Sequence, residues 1–305
     1  MKIKGKEFDK SEPDYLIEVM NRHNDNCTII CLIGGGQEIN TGEAGLSEWI
    51  NSLKNNVNYK DWVIYYSDKI ETDEDYLKKS ELIEWLKLNG NKTPELHLST
   101  SLRAFRSEQI SNFITDILNI DIENTKNLYN QIKDNYPIKI TRNLETAKKW
   151  LISMAKGTER IGIVGCSSGR RLKPLGIDVK NEISVEEWFL NNKDDVRSSY
   201  YLELVATEYD IQGLEIDYTC VAWDIDFYFK DNKWNYQKFE GTKWKNIKSD
   251  IDKSYLKNSY RVLLTRARQG LIIFVPEGDD NDHTRPKDLY DNTFNYLKSL
   301  GIEEI

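Results

Sequence analysis

The sequence predicts an α/β protein, a parallel sheet wound with helices, and three observations carry that prediction. Short apolar runs recur along the chain: CTIICLI (27–33), WVIYY (62–66), RIGIVG (160–165), YLELVA (201–206), YTCVAW (218–223) and GLIIFV (270–275). Runs of this length without polar alternation read as strands buried on both faces, as in a parallel sheet. Segments of helical periodicity lie between them, and strands alternating with helices give a doubly wound domain. One stretch, FYFKDNKWNYQKF (227–239), alternates about an Asp-Asn pair and predicts an inserted β-hairpin.

In chain order, the first run ends in Gly34-Gly35-Gly36 and delivers Gln37. Glycines after a buried strand suggest a phosphate loop, but no Gly-Lys-Ser/Thr follows, and a tight turn needs glycine for steric reasons alone. YLKKSELIEWLKL (76–88), SEQISNFITDIL (107–118) and NLETAKKWLISMA (143–155) carry helical spacing. Ser184-Val-Glu-Glu187 reads as a capping box opening a short helix through Trp188 and Phe189. The segment 260–264 is helix-like and passes through Thr265-Arg266-Ala267-Arg268 directly into the 270–275 run. Trp234, Tyr236, Trp244 and the lysines around the hairpin suggest a stacking surface for bases, against the alternative that the aromatics pack on the main domain.

A chain of 305 residues with 39% hydrophobic and 30% charged residues buries a sizeable core. Its charged N-terminus is not a signal peptide, and no run reaches the ~20 apolar residues that span a bilayer. A cytoplasmic protein with no membrane contact is expected. Cys27, Cys31, Cys166 and Cys220 lie in or beside apolar runs without zinc spacing, so buried thiols and no metal site are expected. The net charge of −8 argues against non-specific coating of nucleic acid but leaves room for a local basic groove, and 139–173 is rich in Lys and Arg.

Four stretches carry chemistry. At the end of its strand Gln37 offers a neutral amide that orients water or touches phosphate. LHLSTSLRAFRSEQ (96–109) places Arg103 and Arg106 at a helix start, where guanidinium forks suit phosphate. In ATEYDIQGLEIDYTCVAWD (206–224), Gly213 permits close backbone approach and Glu215 accepts from ribose hydroxyls. Thr207 and Tyr209 of the same loop suit a nucleic-acid backbone. In YRVLLTRARQGLIIFVP (260–276), Arg266 and Arg268 are each suited to neutralising a transferring phosphoryl group or to a structural ion pair.

The order GGGQ, SLRAFRS, TEYDIQGLE, YRVLLTRAR resembles the later motifs of superfamily 1 helicases. Together with SEPDYLIEVMNRH, RIGIVGCSSGRRLKPLGI and RPKDLYDNTFNYLKSLGI, it looks most like the Schlafen-group-3-like DNA/RNA helicase family of P-loop ATPases. The resemblance implies a RecA-like parallel sheet, with residues 1–93 holding the last strand of a first RecA-like domain plus a connecting segment and 94–305 forming the second. It implies Gln37 as the motif III γ-phosphate sensor, Arg103 as the motif IV phosphate contact and Gly213 with Glu215 as motif V. It implies Arg266 as the arginine finger, with Arg268 as the next candidate at the nucleotide. Tyr209 stands where many members have histidine.

The sequence departs from the family pattern in one respect. It contains no Gly-x-x-x-x-Gly-Lys-Ser/Thr, and no Asp-Glu pair closes a strand ahead of Gln37; Asp224 after YTCVAW only mimics that pattern. The expectation is therefore the C-terminal part of a nucleic-acid-dependent ATPase, inactive alone. It would use ATP and Mg2+ only with a P-loop-bearing N-terminal half, and single-stranded DNA or RNA as partner. The alternatives are a non-catalytic module for nucleic acid or protein, and a free-standing nucleotide-binding regulator.

Overall fold

The computed structural model describes residues 2–3, 6–7, 10–23, 26–33, 45–72, 76–77, 79–97 and 105–305. Two compact units divide the chain, Met1–Ser101 and Leu102–Ile305. Among the described residues no helix is long and apolar enough to cross a membrane.

The first unit opens with the antiparallel pair β1 (Lys2–Ile3) and β2 (Lys6–Glu7), followed by α1 (Glu12–Met20) and α2 (Leu46–Asn55). Ser11 caps α1 by accepting from the Asp14 amide, one turn after the chain leaves extended backbone. Next come β3 (Ile64–Tyr66), α3 (Lys69–Thr72), α4 (Ser80–Asn89) and β4 (Gly90–Lys92), and β3 pairs with β4 in parallel. Leu46, Ile50, Tyr66, Leu77, Leu82 and Leu86 form its core.

The run 27–33 differs from expectation. It carries no strand, and Ile30 and Leu32 are 82% and 83% exposed. A parallel strand exists only through hydrogen bonds to neighbours on each side, and no described residue pairs with this run. Its Cys31 is exposed and Cys27 half-buried, so the buried-thiol expectation holds for Cys166 and Cys220 alone.

The second unit contains α5 (Phe105–Asn119), α6 (Ile122–Ile132), β5 (Ile138–Thr141), α7 (Leu144–Met154), β6 (Ile161–Gly165), α8 (Val185–Leu190), β7 (Val205–Ala206), α9 (Glu208–Ile211) and β8 (Ile216–Ala222). The chain continues with β9 (Phe227–Lys230), β10 (Lys233–Glu240), β11 (Lys243–Asn246), α10 (Asp250–Leu264), β12 (Ala267–Phe274), α11 (Lys287–Ser299) and β13 (Glu303–Glu304). Six strands form one sheet in the order β13-β5-β12-β8-β6-β7, parallel throughout. With its flanking helices and inserted hairpin it is the expected RecA-like α/β architecture. Every residue of β6 and β8 is buried, which is why β6 and the part of β8 from Tyr218 read as apolar runs, with Asp217 at the head of β8 as a buried exception. On one face Ala147 and Leu151 of α7 pack with Ile161, Ile163, Cys220 and Ile272. Gly162 lets the Trp188 ring reach β6, because a Cβ there would stand 2.7 Å from the ring. Half of the expected capping box forms: Ser184 accepts from the Glu187 amide to start α8, while the Glu187 carboxylate pairs with Arg197.

The inserted hairpin turns at Asp231-Asn232, both at φ 55°, the left-handed pair that a two-residue turn matching strand twist demands. A third strand, β11, extends it to the sheet β11-β10-β9. Trp234 is 6% exposed and stacks 4.3 Å from Phe227 and 5.6 Å from Trp223, so it packs on the domain rather than offering a base-stacking face. Trp244 is likewise engaged, its Nε1 donating to Thr284 O at 2.8 Å.

Candidate functional site

The predicted residues of the second unit gather at two edges of the parallel sheet. At the amino edge, where β8 and β12 begin side by side, the Ile216 amide donates to Arg266 O at 3.1 Å. That bond brings the Gly213–Glu215 turn next to Thr265-Arg266-Ala267-Arg268. Gly213 has φ +85° and nothing within 4 Å of where a Cβ would stand, so backbone and open space meet there. Glu215 is half-buried, and its charge helps raise the pKa of the buried Tyr136 phenol, after burial itself.

The two arginines sit differently. Arg268 is exposed, and its Nη2 donates to Asp217 Oδ1 at 3.0 Å across the β12–β8 pair. Asp217 also accepts from Gln269 Nε2 at 2.9 Å and from the Arg160 amide at 2.7 Å, which holds the carboxylate still and with it the guanidinium. Arg266 is 3% exposed, with Nε donating to Val262 O at 3.1 Å and Nη2 to Thr265 Oγ1 at 3.2 Å. It therefore closes the last turn of α10, where the helix leaves carbonyls without amide partners and favours a cation.

At the carboxyl edge, Thr207 follows β7 and caps α9. Its amide and its hydroxyl each donate to Asp210 Oδ2 at 2.7 Å. Beside it Tyr209 is 49% exposed. The short helix and the QGLE turn carry the chain from this edge back to the amino edge, so one loop serves both.

Three buried acids below this edge carried little signal in the sequence. Glu208, Asp224 and Asp226 are 2%, 1% and 0% exposed. Glu208 accepts from the Ser167 amide at 2.8 Å and hydroxyl at 2.7 Å. Asp224 accepts from Tyr290 at 2.6 Å and from the Arg171 amide at 2.8 Å, and Asp226 from Tyr260 at 2.6 Å. Burial pushes all three carboxyls up, and for Asp226 the neighbouring Asp224 adds to it. Asp226 Oδ2 is buried with no hydrogen-bond partner. Only the position of Asp224 and Asp226 just after a buried strand hinted at them. Asp217 was not singled out in the sequence, and an acid at the head of an apolar run is the signal that could have found it.

Gln37 and Arg103 lie outside the described residues. Arg106 falls in the first turn of α5. Among the described residues no group of three or more His, Cys, Asp or Glu is arranged to hold a metal ion.

No curated protein matches the sequence. The family profile described as Schlafen group 3, DNA/RNA helicase domain matches residues 2–277, nearly the whole chain. With the parallel sheet and the edge residues in place, the match is to a helicase-like domain and points generally to nucleic acid. The chain belongs to the Schlafen group 3 DNA/RNA helicase domain family.

Proposed function

We propose that this chain is the C-terminal part of a superfamily 1-type nucleic-acid-dependent ATPase, completed by a P-loop-bearing N-terminal half on the same or another polypeptide. The observation that carries the reading is the junction of Glu215 with Arg266 and Arg268 at the amino edge, tied by the Ile216–Arg266 backbone bond. ATP, when bound, supplies the phosphoanhydride whose cleavage drives a motor. The residues here suit a nucleotide: open backbone at Gly213, a carboxylate acceptor at Glu215 and an exposed cation at Arg268. Magnesium, held at such sites by the nucleotide's phosphates with one or two carboxylates, would take its protein ligands from the other half. Glu215 would accept from ribose hydroxyls. Arg268, steadied by Asp217, would hold a phosphate oxygen, and Arg266 would serve as the finger once released from the α10 end. Gln37 and Arg103 would sense the γ-phosphate, and Thr207 and Tyr209 would face a single strand of DNA or RNA.

A second reading is favoured by the burial of Arg266: a non-catalytic module that binds nucleic acid and keeps the fold. Steady-state phosphate release separates the two. The chain alone should show no magnesium-dependent hydrolysis. With the P-loop half it should hydrolyse ATP, with turnover falling on the order of 10³-fold in Arg266→Ala. Near-normal turnover in Arg266→Ala and Arg268→Ala would favour the second reading, and robust hydrolysis by the lone chain would overturn the first.

A further inference from the structure

The β10–β11 ribbon concentrates positive charge. Residues 233–248 hold five lysines against one glutamate, in a chain of net charge −8. The pairing register places Lys238 opposite Lys245 and Glu240 opposite Lys243. Those four residues alternate with Phe239 and Trp244, so they share the outer face while the aromatics turn inward. Lys238 and Lys245 are 57% and 50% exposed and both bridge to Glu240 at 2.6 Å; Lys243 is exposed. Exposed ion pairs of this kind contribute little and exchange readily for another anion.

A chain of contacts ties this ribbon to the carboxyl edge. Trp244 donates to Thr284 O at 2.8 Å, and Arg171 donates to Thr284 Oγ1 at 2.6 Å while its guanidinium lies 5.4 Å from the Phe239 ring. Arg171 closes the loop after β6, whose Ser167 binds Glu208, the residue between Thr207 and Tyr209. Arg170 stands exposed in that same loop. Arg171 itself is neutralised by Asp282, whose Oδ2 accepts from it at 2.7 Å, so the exposed cations on offer are Arg170 of that loop and the lysines of the ribbon.

We propose that the outer face of the β10–β11 ribbon contacts the phosphate backbone of a nucleic-acid strand, extending the track that begins at Thr207 and Tyr209. The proposal rests on the nucleic-acid reading above. Lysines without a fork supply charge and no base selection, so the contact is sequence-independent and salt-sensitive. Glu240 competes with the strand for Lys238 and Lys245.

Fluorescence anisotropy of the chain with labelled single strands of about 4 and about 16 nucleotides, across a salt series, tests this. Joint replacement Lys238→Ala, Lys243→Ala and Lys245→Ala should lower the salt slope for the long strand by about two units, at roughly 0.7 per phosphate contact, and leave the short strand unchanged. Glu240→Gln should tighten the long strand, a gain that damage to the fold would not produce. If the wild type binds the long strand and the triple variant keeps its slope, the ribbon is overturned while the nucleic-acid reading stands. If the wild type binds neither strand at low salt, both fall.

Discussion

Replacing Arg266 with alanine removes a buried guanidinium from the end of α10, and the structure sets the size of the effect. Its Nε and Nη2 donate at 3.1 and 3.2 Å, near the long end of the range for such bonds. A hydrogen bond from a charged donor contributes about 1.5–3 kcal/mol, so two long ones together contribute about 3 kcal/mol. The helix-end charge adds about 0.3–1 kcal/mol. Arg266→Ala should therefore lower unfolding free energy by about 3–4 kcal/mol in urea titration followed by tryptophan fluorescence. Arg266→Lys keeps the charge and at most part of the bonding, and should recover about half of that loss. The same contacts oppose release of the finger toward a phosphate. Thr265→Val, which removes the hydroxyl holding Nη2, should lose about 1 kcal/mol of stability without lowering turnover of the completed ATPase. An unchanged urea midpoint in Arg266→Ala would refute the helix-end role, and loss of turnover in Thr265→Val as deep as in Arg266→Ala would refute the idea of release.

Asp224 and Asp226 titrate from 3.8 when unperturbed, and burial raises both in the fold. The folded state then holds more protons than the unfolded one above that pH, so this pair's contribution falls as pH rises from about 4 toward neutrality. Asp226→Asn removes the titrating carboxyl and should flatten that slope in urea unfolding across pH; an unchanged pH profile would contradict it. Gly162→Ala places a Cβ 2.7 Å from a fully buried Trp188 ring and should cost about 1–3 kcal/mol by urea denaturation. Thr207→Ala with Tyr209→Ala should weaken single-strand binding in anisotropy titrations, whereas Glu215→Ala, at the opposite edge of the sheet, should leave it unchanged.

Local chemistry was legible in the sequence wherever it is self-contained. The buried strands β6, β8 and β12, the helices α5 and α7, the Ser184 cap and the Asp231-Asn232 turn depend on neighbours a few residues away, and each formed as its pattern requires. The order of the QGLE and TRAR stretches pointed to the family before any fold was known. Strand order, by contrast, is a choice among distant partners. The patterns of β5 and the two-residue β13 are too short to read, and of the expected strand 201–206 only Val205–Ala206 pairs as β7, after a 3-10 turn at Ser199–Tyr201; their places come from pairing across the sheet. Apolarity alone made 27–33 a strand, but a strand is defined by its neighbours, and among the described residues it has none. An alternating hairpin with tryptophans reads the same whether those rings face bases or a core; packing against Trp223, Phe227 and Tyr296 turned Trp234 inward and left the lysines outside. Arg266 could be named from its motif, yet its burial against the end of α10 follows from where β12 starts. The acids Glu208, Asp224 and Asp226 meet only because β7 and β8 end on the same edge of one sheet, a consequence of long-range pairing that no local pattern encodes.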